Sequence, residues 1–244
     1  MATRQGDFVL WDLPGERQIT SLPRIRTEGT SWVSTSPDGK CLCFVATNRL
    51  TVWSFETFEE LATLPRLSPA PLPSKVCFAN DSESIAVANE DCTVEVWNLA
   101  RKERLGPWKA HRESMSGMAF MPGGEGLLTA SHDTNLKLWD VKTQREVRHF
   151  GHTANTYTCV AVSPDGKRVA AASALNVYIG IWNAETGQEA ARIKGFQGAE
   201  VDYLAFLADG NTLVSGTPEE VRLWRAPSWE EIVAAEKKTE AKTQ

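Results

Sequence analysis

The chain has 244 residues, enough to bury a substantial core in a single all-β domain. Its 26 Lys and Arg residues against 31 Asp and Glu give a net charge of −5, which argues against nucleic acid as a partner. Because it shows no signal-peptide pattern and no apolar stretch long enough to span a membrane, we expect a soluble, cytoplasmic protein with no membrane contact.

Alternating apolar and polar residues predict short strands along the chain, separated by tight turns. The first two strands are expected in DFVLWD, at residues 7–12, and in RQITSLP. From about Gly29 a unit recurs that consists of three alternating runs, two turns and a fourth run. Its first turn often contains Pro-Asp-Gly, Ala-Asp-Gly or Pro-Gly-Gly, since a tight hairpin needs the positive φ that glycine supplies.

A tryptophan lies near the end of the third run of each unit. The residues that share this position are Trp11, Trp53, Trp97, Trp139, Trp182 and Trp224. Their spacing is 42 to 44 residues, which a merely tryptophan-rich core would not produce. The chain is therefore a repeat array.

The unit is most complete between Ala110 and Asp140, where the third run reads LKLWD. A period of roughly 40 to 45 residues with a strand-terminal Trp-Asp resembles the WD-repeat family of β-propellers, in which each repeat supplies one four-stranded blade. The resemblance implies an all-β propeller of antiparallel blades, with five complete or near-complete blades and an amino-terminal half blade. Phrases such as SPDGKRVAAAS are similar to those of bacterial-type tandem arrays.

We expect one propeller domain over residues 1–236. Its half blade covers 7–23, and its five blades cover about 29–65, 73–108, 113–150, 155–194 and 200–234. After Trp224 two interpretations stay open, because EEIVA fits a fourth strand whereas Ser228 and Glu231 fit a capping box before a short helix. Residues 237–244 form a polar tail that we expect to be disordered.

The resemblance implies a hydrogen-bonded network in the middle blade. In WD-repeat propellers the network joins a His before the innermost strand, a Ser or Thr in the second strand, an Asp in the next turn and the Trp of the third strand. The residues that match these positions here are His111, Ser131, Asp133 and Trp139. Since the other units lack one or more of these residues, we expect them to depend more on apolar packing.

A Ser, a His and an Asp also fit a nucleophilic triad. We set that interpretation aside because the resemblance gives these residues a structural role and no Gly-x-Ser-x-Gly elbow is present. The five cysteines lack Cys-x-x-Cys spacing and fall mostly in strands, which favours buried small side chains over metal ligands or disulfides. The sequence therefore predicts no catalytic residue, no metal and no cofactor.

The resemblance also implies a rigid ring that displays loops to a protein or peptide partner. The residues in or beside the starts of innermost strands are candidates for the partner-binding face: Trp32, Lys75, Glu113, Asn155, Tyr157 and Tyr203. The alternative for the aromatic members is packing between blades. We predict a non-catalytic interaction scaffold. The alternatives are the carboxy-terminal regulatory part of a larger signalling protein, such as a bacterial serine/threonine kinase, and, ranked below it, a hydrolase with a site at the axis.

The number of blades leaves one question open. Many WD-repeat propellers have seven blades, which need roughly 300 residues. The ring is then open with exposed strand edges, or two chains complete each other's half blades, or the chain is the carboxy-terminal portion of a longer polypeptide. The first two interpretations predict self-association through unpaired strand edges.

Overall fold

The structure is a computed structural model that describes residues 9–12, 17–21, 32–46, 48–66, 73–151, 156–174, 178–194, 196 and 199–226. Within these ranges the chain forms 21 β-strands, and neighbouring strands of each sheet pair in antiparallel fashion. No helix in the described part is long and apolar enough to cross a membrane.

The strands form one hairpin and five successive blades. The hairpin consists of β1 (Val9–Asp12) and β2 (Arg17–Ser21). Blade 1 consists of β3 (Trp32–Thr35), β4 (Cys41–Val45), β5 (Arg49–Ser54) and β6 (Glu60–Pro65). Blade 2 consists of β7 (Pro73–Phe78), β8 (Ser84–Asn89), β9 (Thr93–Asn98) and β10 (Glu103–Lys109).

The remaining blades follow the same order of strands from inside to outside. Blade 3 consists of β11 (Met115–Phe120), β12 (Gly126–Ser131), β13 (Leu136–Asp140) and β14 (Arg145–Phe150). Blade 4 consists of β15 (Tyr157–Val162), β16 (Arg168–Ser173), β17 (Tyr178–Asn183) and β18 (Glu189–Lys194). Blade 5 contains β19 (Tyr203–Phe206), β20 (Thr212–Gly216) and β21 (Val221–Arg225). The predicted fold class, with near-complete blades and an amino-terminal half blade, is confirmed.

The turn between the first two strands of a blade shows how local sequence sets the hairpin. In blade 4 the carboxylate of Asp165 accepts the Ser163 hydroxyl at 2.6 Å and the Lys167 backbone N–H at 3.0 Å. Gly166 has φ of +70°, a conformation that side chains disfavour. The same contacts recur around Asp38 in blade 1, so the Pro-Asp-Gly-Lys segment encodes one turn twice.

The blades stack in chain order around their innermost strands, since β3 contacts β7, β7 contacts β11, β11 contacts β15 and β15 contacts β19. A buried apolar cluster fills the space between each pair of successive blades. Trp97, Trp139, Trp182 and Trp224 each pack in the cluster shared with the preceding blade. These tryptophans therefore contribute to the packing of each blade on the blade that precedes it in the chain.

One row of residues crosses every blade at the same register. In blade 3 it contains Gly117, Ala130 and Leu136, which are paired across three strands. The third-strand members in blades 1 to 4 are each 0% exposed: Leu50, Val94, Leu136 and Ile179. All four pack in the cluster shared with the following blade. We call this set of positions the interface row.

The last blade has three strands among the described residues. Within the described residues, no extensive strand contact links blade 5 to blade 1 or to the amino-terminal hairpin. Residues 227–236, for which a fourth strand and a short helix were both considered, lie outside the described residues, as does the tail at 237–244.

Candidate functional site

The middle blade contains a buried chain of hydrogen bonds. Nδ1 of His111 lies 3.1 Å from both carboxylate oxygens of Asp133, and its Nε2 lies 2.8 Å from Oγ1 of Thr129. The indole N–H of Trp139 donates to the same Oγ1 at 2.9 Å. Because His111 follows the outer strand of blade 2, the chain of hydrogen bonds also ties blade 2 to blade 3.

One arrangement of protons satisfies all of these groups. Thr129 Oγ1 accepts the Trp139 N–H, so its own O–H donates to Nε2 of His111. The imidazole proton then sits on Nδ1 and donates to Asp133, an assignment inferred from the network. Burial lowers the pKa of His111, and it outweighs the carboxylate of Asp133, which raises that pKa. The imidazole is therefore neutral near pH 7.

Asp133 holds the loop before blade 3 to the turn between its second and third strands. Burial raises the pKa of Asp133, but the Arg112 backbone N–H and the nearby His111 outweigh it, so the pKa lies below its ordinary value. The Arg112 N–H donates to the carboxylate at 2.9 Å, and the Asn135 N–H donates at 3.1 Å. The carboxylate is ionised and fully used in structural contacts.

The hydroxyl predicted for this network was the wrong one. Ser131 does not contact His111 or Trp139; its Oγ donates to the backbone carbonyl of Glu113 at 2.9 Å and accepts the Asp133 N–H at 3.1 Å. Thr129 and Ser131 lie on the same face of β12, but Ser131 is about 7 Å further along the strand and beyond the reach of the indole. Thr129 therefore takes the place expected for Ser131.

Blade 2 contains a buried ion pair in the corresponding space. Nε of Arg66 lies 2.6 Å from Oε1 of Glu95, and the two residues are 4% and 3% exposed. Arg66 also donates to the Ala46 carbonyl of blade 1 at 2.8 Å and to Oδ1 of Asn89 at 2.5 Å. The other carboxylate oxygen of Glu95 lies 3.3 Å from Arg104. Arg66 thus joins blade 1 to blade 2, as His111 joins blade 2 to blade 3.

The residue at the register of Thr129 decides whether the tryptophan of a blade has an acceptor. In blade 5 it is Ser215, whose Oγ accepts the tryptophan N–H at 2.7 Å. In blades 1 and 2 it is Phe44 and Val87, and the buried tryptophan N–H of each has no acceptor in the described part of the chain. Blade 4 has Ala171 there. Among the described residues only blade 3 combines the His, hydroxyl, Asp and Trp.

The residues predicted for the partner-binding face differ in how much of each side chain is exposed to solvent. Tyr203 is 59% exposed, Glu113 is exposed and Lys75 is half-buried. Lys75 and Tyr203 are the innermost members of the interface row in blades 2 and 5, and the backbone of Trp32 has this position in blade 1. Asn155 lies outside the described residues.

Tyr157 does not belong to an exposed face. It is 0% exposed, and its ring meets that of Trp182 edge to face with centroids 6.3 Å apart. It starts β15 two residues before the interface row, at the position of Met115 in blade 3, and both side chains pack between blades. Tyr157 therefore belongs to the core, because burying its aromatic ring between blades is more favourable than exposing the ring on the surface.

The groups that suggested nucleophilic catalysis are closed to solvent. Ser131 and Thr129 are 0% exposed and His111 is 3% exposed, so a substrate cannot reach them without separating the blades. Two of the thiols are also poor nucleophiles, since burial raises the pKa of Cys77 to about 12 and that of Cys159 to about 11. These side chains form contacts between strands and blades.

The fold and these contacts define a repeat protein built from antiparallel blades that are joined by buried side chains. The profile of the family described as WD domain, G-beta repeat matches residues 102–140 and 144–177. Together these two segments contain the outer strand of blade 2, the four strands of blade 3 and the first two strands of blade 4.

Several proteins with related sequences are known. The chain is 26% identical to the Periodic tryptophan protein 2 homolog of Dictyostelium discoideum, over 82% of this chain and 22% of that protein. It is 29% identical to the WD repeat-containing protein WDS homolog of Arabidopsis thaliana, over 66% of this chain and 32% of that protein. It is 24% identical to the COMPASS component SWD3 of Saccharomyces cerevisiae, over 62% of this chain and 48% of that protein.

The chain thus spans about a fifth to a half of the length of these curated relatives. All three relatives are eukaryotic proteins, and they give no support to the bacterial-type qualifier drawn from the sequence.

Proposed function

We propose that this chain is a non-catalytic scaffold that binds a protein or peptide on the face where the innermost strands begin. The observation that carries the proposal is the placement of its polar chemistry. The groups with catalytic potential are buried and hydrogen-bonded between blades, whereas Glu113 and Lys75 lie at the starts of innermost strands with part of their surface in solvent.

Stacked blades with close-packed interfaces favour binding by a fixed surface. The loop before the innermost strand of blade 3 is held in place, since Ser131 and Asp133 contact its backbone at Glu113 and Arg112. Little conformational entropy is lost when such a loop meets a partner. One relative is itself named as a component of COMPASS, which is compatible with a role in assemblies.

The other functions considered have less support. A hydrolase needs reactive groups open to solvent, and the Ser and His of the middle blade are closed to it. Nothing in the structure or among the relatives favours the regulatory part of a kinase. The proposal also includes a single domain over residues 1–236 and a cytoplasmic location, which limited proteolysis and fractionation would test.

The scaffold proposal is tested by comparing the proteins captured by the purified chain and by three variants. Glu113→Arg and Lys75→Ala alter the proposed face, whereas Lys142→Glu alters an exposed turn at the opposite end of blade 3. We expect the first two variants to lose a partner that the parent and Lys142→Glu retain, with direct binding to the purified partner as confirmation. Equal retention by all variants would place the binding face elsewhere.

A further inference from the structure

Blade 5 has an apolar face that is exposed, although the same face packs against the next blade in blades 1 to 4. Val221 is 68% exposed, whereas Leu50, Val94, Leu136 and Ile179, its counterparts in the interface row, are each 0% exposed. Leu223 is 66% exposed, whereas its counterparts are buried in blades 1 and 2 (Val52, Val96) and half-buried in blades 3 and 4 (Leu138, Ile181). The side chains on this face are suited to contact with a further blade.

Two more exposed residues belong to the same face. Tyr203 is the innermost member of the interface row in blade 5 and is 59% exposed. Leu207 is 43% exposed, whereas its counterpart Met121 packs in the cluster between blades 3 and 4. We call Tyr203, Leu207, Val221 and Leu223 the open face. Exposed apolar patches of this kind mark interaction surfaces in monomeric proteins.

Among the described residues, blade 1 does not offer a matching exposed face. Leu42 and Phe44 lie on the opposite side of blade 1, where a preceding blade would pack, and they are only 7% and 3% exposed. Head-to-tail stacking of copies would need an uncovered face at both ends. The asymmetry favours contact between two identical faces.

We propose that the open face of blade 5 packs against the open face of a second copy of this chain, across a two-fold axis that passes near Leu223. In blades 1 to 4 the corresponding face packs against the tryptophan-bearing face of the next blade, whereas the two-fold contact joins two copies of the same face. The charges at the ends of β21 agree with two-fold symmetry, since Glu219 precedes the strand and Arg225 ends it, while Glu220 is paired with Arg222 of the same chain. Antiparallel β21 strands place the acidic end of one copy beside the basic end of the other.

The first test is the mass of the full chain in solution, by light scattering after size exclusion over a wide range of concentration. We expect a species of twice 26.9 kDa that dissociates on dilution. The double variant Val221→Lys/Leu223→Lys is expected to be monomeric with an unchanged circular dichroism spectrum. Leu61→Lys/Val147→Lys is the matched control, because these residues are 57% and 55% exposed on outer strands away from the open face.

A second variant tests the two-fold axis. Leu223→Cys places a thiol at the centre of β21, so mild oxidation should cross-link two copies through residue 223. The described native cysteines are buried or half-buried, so oxidation of the parent chain is the control and should give no cross-link.

Either of two results would overturn the proposal: a parent chain that is monomeric at every concentration, or a Leu223→Cys chain that does not cross-link. Each of these results would indicate that the open face is covered by a different protein or by another segment of this chain. Because neither variant alters Glu113 or Lys75, this outcome is separate from the test of the scaffold function.

Discussion

Blade 3 fills the space beside its tryptophan with a chain of hydrogen bonds through a neutral imidazole, whereas blade 2 fills the corresponding space with an ion pair. In blade 3, His111 reaches Thr129 and Asp133. In blade 2, Arg66 reaches Glu95 instead, and the tryptophan there has no acceptor in the described part. Both donors come from the segment that follows the outer strand of the preceding blade. The link between neighbouring blades is thus retained, while the chemistry of the link changes.

The two sets of contacts differ in what is lost when one side chain is removed. Removing Thr129 from blade 3 leaves one or two hydrogen bonds unmade, whereas removing one partner of the ion pair in blade 2 leaves a buried charge. The comparison therefore predicts a larger cost for damage in blade 2 than for damage in blade 3.

The largest effect is expected for Arg66→Leu, which leaves Glu95 buried with only the 3.3 Å contact to Arg104. Loss of one partner of a buried pair costs about 3 to 5 kcal/mol of unfolding free energy, measurable by urea denaturation. The control is the double variant Arg66→Leu/Glu95→Leu, in which no charge is stranded. If the double variant were no more stable than Arg66→Leu, the ion pair would not be the source of the loss.

A smaller effect is expected for Thr129→Val, which removes the hydroxyl shared by His111 and Trp139. Two buried polar groups then lack a partner, which costs about 2 to 3 kcal/mol of unfolding free energy. Thr129→Ser keeps the hydroxyl and should lose less. Ser131→Ala should cost only about 1 kcal/mol, because Ser131 contacts backbone groups alone. A larger loss from Ser131→Ala than from Thr129→Val would contradict the assignment.

Acid is expected to weaken blade 3 through His111. Burial holds the folded-state pKa of His111 below the ordinary value of 6.5, so below that pH the unfolded chain binds the additional proton first. Unfolding free energy should therefore fall as the pH drops from about 7 towards about 5, and the pKa of Asp133, also lowered, adds a loss at still lower pH. His111→Gln should show a weaker pH dependence over the first interval; a slope equal to that of the parent would exclude His111 as its source.

The smallest effect is expected for Val87→Thr, which introduces the hydroxyl of blade 3 at the same register of blade 2. The new oxygen can accept the buried Trp97 N–H and donate to Glu95, which is paired with position 87. The gain and the cost of burying a hydroxyl nearly cancel, so stability should change by no more than about 1 kcal/mol. The informative readout is a downfield shift of the Trp97 indole N–H in the proton spectrum. An unshifted signal would show that the hydroxyl does not reach the indole.

The features of the fold that depend on local sequence could be predicted. Alternating apolar residues gave the strands, and Pro-Asp-Gly gave the turns of blades 1 and 4, because these structures form among neighbours in the chain. The spacing of the tryptophans identified the repeat because the tryptophans of blades 2 to 5 each pack on the preceding blade.

The features that depend on pairing between strands were harder to predict. Thr129 and Ser131 have the same parity on β12, and only the pairing with β13 shows which of them reaches Trp139. Arg66 and Glu95 lie 29 residues apart, and no local pattern joins them. A charged residue in the apolar strand TVEVW was the one available signal, since a buried carboxylate requires a partner.

The most direct test of these buried links is a nitrogen NMR measurement of the histidine rings, of which the chain has four. The account predicts that His111 is neutral at about pH 7, with its proton on Nδ1 and with Nε2 accepting the Thr129 hydroxyl. The ring should titrate below the ordinary histidine range. An imidazolium, or a neutral ring with its proton on Nε2, would contradict the proposed network and the structural role assigned to the middle blade.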